Sequence, residues 1–208
     1  MNIVEAYIKM KGQLIIIISG LSGTGKTKLA KNISELFKMD LINLNFYCKK
    51  EYNVKTKLID GTEIINWDSD DIYDWDVFNE NVKKYSSTGV IIVGSFFPKN
   101  KLSFNSDFHV QIKLSKQNLI KRRLDYIEDY GDDCRKKGKN IDQNIENAIF
   151  NQFTYPYYLD TTERSDITKF LNANEYINMD KEKYDEKLYD ELYEFLINKI
   201  DKYVYKKN

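Results

Sequence analysis

The sequence predicts an α/β fold in which a central parallel sheet lies between two layers of helices, and three observations carry that prediction. Residues 14–18 (LIIII) and 89–94 (GVIIVG) are short, continuous apolar runs of the kind that form strands buried on both faces. Such runs alternate with longer segments whose apolar residues recur at helical spacing, at 27–38, 116–130 and 181–205. The first apolar run also empties directly into a glycine-rich turn, Gly20-Leu21-Ser22-Gly23-Thr24-Gly25-Lys26-Thr27, which opens a helix. No repeat, linker or low-complexity tract divides the chain, so residues 1–208 are expected to form one domain.

In chain order, residues 1–12 form a short arm or helix ahead of the core. Residues 14–19 are the first strand, 27–38 the first core helix and 41–44 a second short strand. Asp60-Gly61, between VKTKLI and TEIINW, predicts a hairpin over 54–67 with a type I′ turn. Its position between a strand and the next helix makes it an appendage, either an edge cover or a flap over a pocket. Ser69, Asp70 or Asp71 can cap a helix running to about residue 86, and the clustered acids suit its N-terminal dipole. Residues 108–114 (FHVQIKL) read as a strand with His109 packed in it, and Ser115 caps a helix to about residue 130. A polar loop at 131–139, a helix at 142–153, a last short strand at 175–178 and an amphipathic helix at 181–205 complete the chain. The stripe Tyr184, Leu188, Leu192, Phe195, Leu196, Ile200 and Tyr203 of that last helix is read as core packing.

Composition excludes several function classes. Lys plus Arg and Asp plus Glu are both 32, so no net charge favours coating of nucleic acid. No apolar run is long enough to span a bilayer, and residues 1–11 lack the apolar core of a signal peptide, so no membrane partner and a cytoplasmic location are expected. Cys48 and Cys134 are far apart and the one histidine is His109, a pattern that suggests two free thiols and neither a zinc site nor a disulfide framework.

Residues 20–27 match G-x-x-x-x-G-K-[ST], the phosphate-binding P-loop. The chemistry needs those residues at that spacing. The turn must be sharp and let a ligand reach the backbone, which Gly20, Gly23 and Gly25 permit for want of a Cβ. Its N–H groups and the helix N-terminus then face anionic phosphates. Lys26 reaches the β- and γ-phosphates of ATP, and the Thr27 hydroxyl holds Mg²⁺. A guanine-reading N-K-x-D motif is not found, since Asn100-Lys101-Leu102-Ser103 lacks the aspartate.

With these segments in place the chain resembles the uridine kinase and nicotinamide riboside kinase group of P-loop kinases. Residues 20–27 look like that group's G-x-S-G-x-G-K-[ST], including Ser22 and Gly23, and Asn45-Phe46-Tyr47 falls where the group has D-x-F-Y-K. The run NWDSDDIYDWD at 66–76 resembles N-F-D-x-P-D-A-F-D-x-D. SKQNLIKRRL at 115–124 is similar to a helix carrying a double arginine under a lid, and 153–156 resembles x-x-K-P. The resemblance implies a three-layer P-loop NTPase sandwich with a helical lid near 116–140. It also implies an ATP- and Mg²⁺-dependent kinase acting on a hydroxyl of a nucleoside or similar small riboside. Asp68 would then bind ribose-like hydroxyls, Arg122 and Arg123 would approach the ATP phosphates, and residues 54–67 would wall the acceptor's base. For the two arginines a solvated helix face, paired with acids such as Glu128, is the other reading. The chain departs from the family where the general-base aspartate is Leu44, beside Asn45, and where a Glu-Gly pair is Val93-Gly94; Asp40 lies too early in its strand to substitute. Asp68 is then the alternative base, and a nucleotide-binding protein without efficient transfer is the second function kept.

Overall fold

The computed structural model describes residues 2–130 and 142–206, side chains 126–130 excepted. The elements run α1 (Ile3–Lys11), β1 (Ile15–Ser19), α2 (Lys26–Phe37), β2 (Asp40–Asn43), β3 (Lys55–Lys57), β4 (Glu63–Ile65), α3 (Trp75–Ser86), β5 (Val90–Gly94), β6 (Phe108–Lys113), α4 (Lys116–Tyr130), α5 (Gln143–Ile149), α6 (Tyr155–Glu163), β7 (Lys169–Asn172) and α7 (Lys181–Lys206). Five strands form one parallel sheet in the order β2-β5-β1-β6-β7, and β3 and β4 form a separate antiparallel hairpin.

β1 is central and buried along its whole length. Alternate residues of a strand point to opposite faces, so its isoleucines feed two cores. Ile16 and Ile18 pack with Leu29 and Ile33 of α2 and with Leu188, Leu192 and Leu196 of α7. Ile15 and Ile17 pack with Phe78 and Val82 of α3 and with Ile42, Leu44 and Phe97. Burying each such side chain contributes about 1.5–3 kcal/mol, and so the continuous apolar runs select a sheet covered on both sides. On α7 the expected stripe is realised by Tyr184, Leu188, Leu192, Leu196, Ile200 and Val204, with Phe195 and Tyr203 half-buried beside it.

Several local readings change. The hairpin forms, but Gly61 alone has positive φ in its turn (φ 88), while a type I′ turn needs it at both central residues. The Leu58 N–H donates to the Thr62 carbonyl, the Leu58 carbonyl accepts from the Gly61 N–H, and the Thr62 N–H donates to the Asp60 carboxylate, so the loop is the three residues Ile59, Asp60 and Gly61. The run at 66–76 gives a 3₁₀ turn (Asp70–Ile72) and then α3, capped by Asp74, whose carboxylate accepts from the Val77 N–H at 3.2 Å. The fifth sheet strand is Lys169–Asn172, and residues 173–176 are a 3₁₀ turn; Leu171 is the fully buried residue there, and it points at the core. Helix continues beyond residue 153 through a π-helical turn (Phe150–Thr154) into α6, with Pro156 in the first turn of α6. Cys48 is disulfide-bonded, contrary to the free thiol expected, and Cys134 lies outside the described residues, as do residues 131–140 of the expected lid.

Because the large sheet is parallel, β1, β2, β5 and β6 all end at one edge. The glycine turn, the 3₁₀ turn Leu44–Tyr47 and the segment 95–98 after β5 gather there, at the edge where open α/β sheets bind ligands.

Candidate functional site

The glycine turn takes the backbone that its composition requires. Gly20, Gly23 and Gly25 all have positive φ, at 152°, 84° and 88°. The Leu21 carbonyl accepts from the Thr24 N–H at 3.3 Å, the Thr24 hydroxyl at 2.8 Å and Lys26 Nζ at 3.3 Å. Lys26 is thereby folded over the turn and buried, while Thr27 is exposed one residue further into α2.

The helix N-termini differ in how they are capped. Helices α1, α3 and α5 have side-chain caps from Asn2, Asp74 and Asp142. α2 begins after Gly25 with no side-chain cap and no acid in its first turn. Its leading N–H groups and the positive end of its dipole are left for an anion, which is what a nucleotide phosphate supplies. The residues present therefore fit a bound triphosphate, with the Thr27 hydroxyl available to its Mg²⁺.

Helix α4 is seated on the outside of this turn. A Cβ on Gly23 would stand 2.3 Å from the Arg122 carbonyl oxygen. Arg122 Nη1 donates to the Gly23 carbonyl at 3.4 Å, and its guanidinium lies 3.7 Å from the centroid of the Tyr184 ring. Arg123 goes elsewhere. It is buried, and its guanidinium stands 3.9 Å from the carboxylate of Glu146, which is fully buried on α5. The neighbouring arginines thus split, one to the phosphate loop and one to the α4–α5 junction.

Asp68 lies half-buried ahead of α3. Its N–H donates to the Asn66 side chain at 3.1 Å, and its Oδ2 accepts from the Thr154 hydroxyl at 2.8 Å. Thr154 closes the π-helical turn between α5 and α6 and is fully buried. Two residues on, Asp70 accepts from the Tyr157 hydroxyl at 2.5 Å and pairs with Arg164 at 3.0 Å. Burial and the Asp70 carboxylate both push the Tyr157 phenol up, so it donates at any working pH. The acidic run is thereby tied to α6 by Thr154, Tyr157 and Arg164. Among its other acids, Asp74 serves as a helix cap, and Asp71 is exposed, with Lys101 at 3.8 Å.

The two positions at which the resembled family carries acids, Leu44 and Val93, lie in apolar core. Leu44 is fully buried, and a Cβ on Gly94 would meet its Cβ at 2.9 Å. Val93 is 1% exposed in β5, and Asp40 begins β2 at the far edge of the sheet from the glycine turn. His109 is buried beside Ser19, with its Nε2 2.9 Å from the hydroxyl. Burial holds its imidazole down at about 4, with Asp166 opposing weakly, so it is a neutral packed histidine. Among the described residues no group of three or more His, Cys, Asp and Glu is placed to hold a metal ion, and no helix is long and apolar enough to cross a membrane.

Thr154, Tyr157, Arg164 and Tyr184 are additions that spacing did not single out. Tyr184 was visible only as one member of an apolar stripe, and Thr154 only by its place two residues before Pro156.

No family model matches the chain, and no curated protein matches it. Among solved structures it is similar to a shikimate kinase from Bacteroides thetaiotaomicron, at 17% identity and TM-score 0.51 over 88% of this chain and 98% of that one. It is likewise similar to a shikimate kinase from Acinetobacter baumannii in complex with shikimate, at 13% identity and TM-score 0.52 over 92% and 98%. A possible uridine kinase from Bacillus stearothermophilus aligns at 16% identity and TM-score 0.47 over 81% and 97%. At these identities the likeness is one of architecture: the chain has the α/β fold of the P-loop kinases, a five-stranded parallel sheet flanked by helices.

Proposed function

We propose that the chain is an ATP-dependent phosphotransferase that phosphorylates a hydroxyl of a nucleoside or similar small riboside. The observation that carries the reading is the uncapped, acid-free N-terminus of α2 behind three positive-φ glycines, with Asp68 held by Thr154 as the candidate acceptor contact. Magnesium, when bound with the nucleotide, supplies charge neutralisation on the phosphate oxygens. In this reading the loop N–H groups and Lys26 bind and orient the triphosphate. Arg122 adds positive charge at the loop's rim, in a fork that suits phosphate oxygens. Asp68 accepts from acceptor hydroxyls and takes the proton of the attacking one; Thr154 keeps the carboxylate aimed. Phosphoryl transfer asks mostly for positioning and charge stabilisation, so a strong base at position 44 is not essential.

The test is a screen with γ-labelled ATP over a panel of nucleosides and ribosides. Label in one acceptor, lost in Lys26→Ala, supports the reading; ATP bound with no transfer to any member refutes it. One observation favours a second reading, that of a nucleotide-binding protein without efficient transfer: Leu44 and Val93 are both buried in apolar surroundings where the resembled family has acids.

A further inference from the structure

Tyr184 is fully buried in the first turn of α7, 160 residues from the glycine loop in sequence. Its hydroxyl donates to the Thr24 carbonyl at 3.2 Å. Its ring carries the Arg122 guanidinium at 3.7 Å and lies 3.5 Å from where a Cβ on Gly25 would stand. The next residue, Asp185, pairs with Lys28 in the first turn of α2 at 2.7 Å. Filling the space between α7 and the loop requires only a ring. A phenol adds a buried polar atom that must find a partner, and here the partner is the loop's main chain.

That contact has a geometric consequence. In a planar trans peptide the C=O and N–H point in opposite directions. A donor fixed on the Thr24 carbonyl therefore fixes the Gly25 N–H on the side away from α7. A phosphate loop binds through such N–H groups, and one already oriented does not have to be ordered when the ligand arrives.

We propose that Tyr184 is a positioning residue for phosphate binding: its hydroxyl sets the Thr24–Gly25 peptide so that the Gly25 N–H is presented to a triphosphate, and its ring holds Arg122 at the loop's rim. The inference rests on the nucleotide reading above and extends it to a residue outside the loop motif. It also couples the C-terminal helix to the loop, since α7 is packed along its length on the core beneath α2.

The test is calorimetric titration of the full chain and of Tyr184→Phe with Mg·ATP and, separately, with inorganic tripolyphosphate, which has no base or sugar. Loss of one oriented hydrogen bond predicts about fivefold weaker binding of both ligands in Tyr184→Phe, by the same factor. Tyr184→Leu, which also removes the platform under Arg122, is expected to weaken both further. A role in packing alone does not produce equal losses for ATP and for a bare polyphosphate while the unliganded variant melts as the wild type does. Wild-type affinity of Tyr184→Phe for both ligands overturns the proposal. So does a loss confined to ATP, which places the effect on the base or sugar. A wild-type chain that binds neither ligand overturns the nucleotide reading itself, and the proposal with it.

Discussion

Replacing Gly23 by alanine tests whether α4 is seated on the phosphate loop. The new Cβ would stand 2.3 Å from the Arg122 carbonyl oxygen, 2.6 Å from its carbonyl carbon and 2.9 Å from its Cβ. The first two are main-chain atoms of a helix and cannot swing aside, so loop and helix would have to part by roughly an ångström, an overpacking that costs about 1–3 kcal/mol. Gly23 also has φ 84, and a left-handed alanine adds about 1–2 kcal/mol. The expected loss is therefore about 2–5 kcal/mol, with weaker Mg·ATP binding as Arg122 is carried off the rim. Gly12→Ala is the internal control. Gly12 has φ 85, but nothing lies within 4 Å of its Cβ position, so only the conformational penalty applies. Urea denaturation of the two variants separates the contributions. A Gly23→Ala chain no less stable than Gly12→Ala refutes the seating of α4.

Other variants probe the remaining parts of the site. Leu44→Asp puts a carboxylate into the apolar cluster of Ile42, Ile72, Phe78 and Phe97, and is expected to lower stability by about 3 kcal/mol or more at neutral pH, read from the urea midpoint; wild-type stability would show that the position is open to solvent. Thr154→Val removes the donor to Asp68 and is expected to raise the acceptor KM about fivefold while leaving ATP affinity unchanged, and equal effects on both substrates count against Asp68 as an acceptor contact. The buried imidazole of His109 makes stability depend on pH: with a folded value near 4 against 6.5 for the free group, its stabilisation is present above about 6.5 and is lost as pH falls toward 4, by about 3 kcal/mol in all. His109→Gln is expected to flatten that acid limb in thermal melts, and an unchanged slope would assign it to other groups.

Much of this fold is legible locally because its signals are local. The isoleucine run before the glycines has no solution but a doubly covered strand, and the three glycines of the loop adopt the positive φ that their composition permits. Asp60-Gly61 marks a hairpin correctly, yet a dipeptide does not say whether both its residues or only Gly61 takes positive φ. What the sequence hides is pairing across distance. Asp68 and Thr154 are 86 residues apart, and Thr154 reaches Asp68 through a π-helical turn that has no compositional signature. Arg122 and Arg123 are neighbours with equal chemistry. Their separation into a loop contact and a buried pair with Glu146 follows from the 100° step between consecutive helical residues and from what each then faces. Tyr184 satisfies the periodicity of a core stripe, and nothing in that periodicity shows that its hydroxyl meets the loop. The displaced last strand has a similar cause: residues 175–178 and 169–172 both carry β-compatible residues, and only the pairing with β6 decides between them.

Whether the γ-phosphoryl group leaves ATP for an acceptor hydroxyl is the question on which the account stands. Phosphorus NMR of the wild-type chain with Mg·ATP and pooled nucleosides and ribosides, beside Lys26→Ala, answers it directly. The account predicts a phosphomonoester resonance that grows as ADP forms with the wild type and is absent with Lys26→Ala. ATP that binds the wild-type chain and yields no phosphomonoester contradicts it.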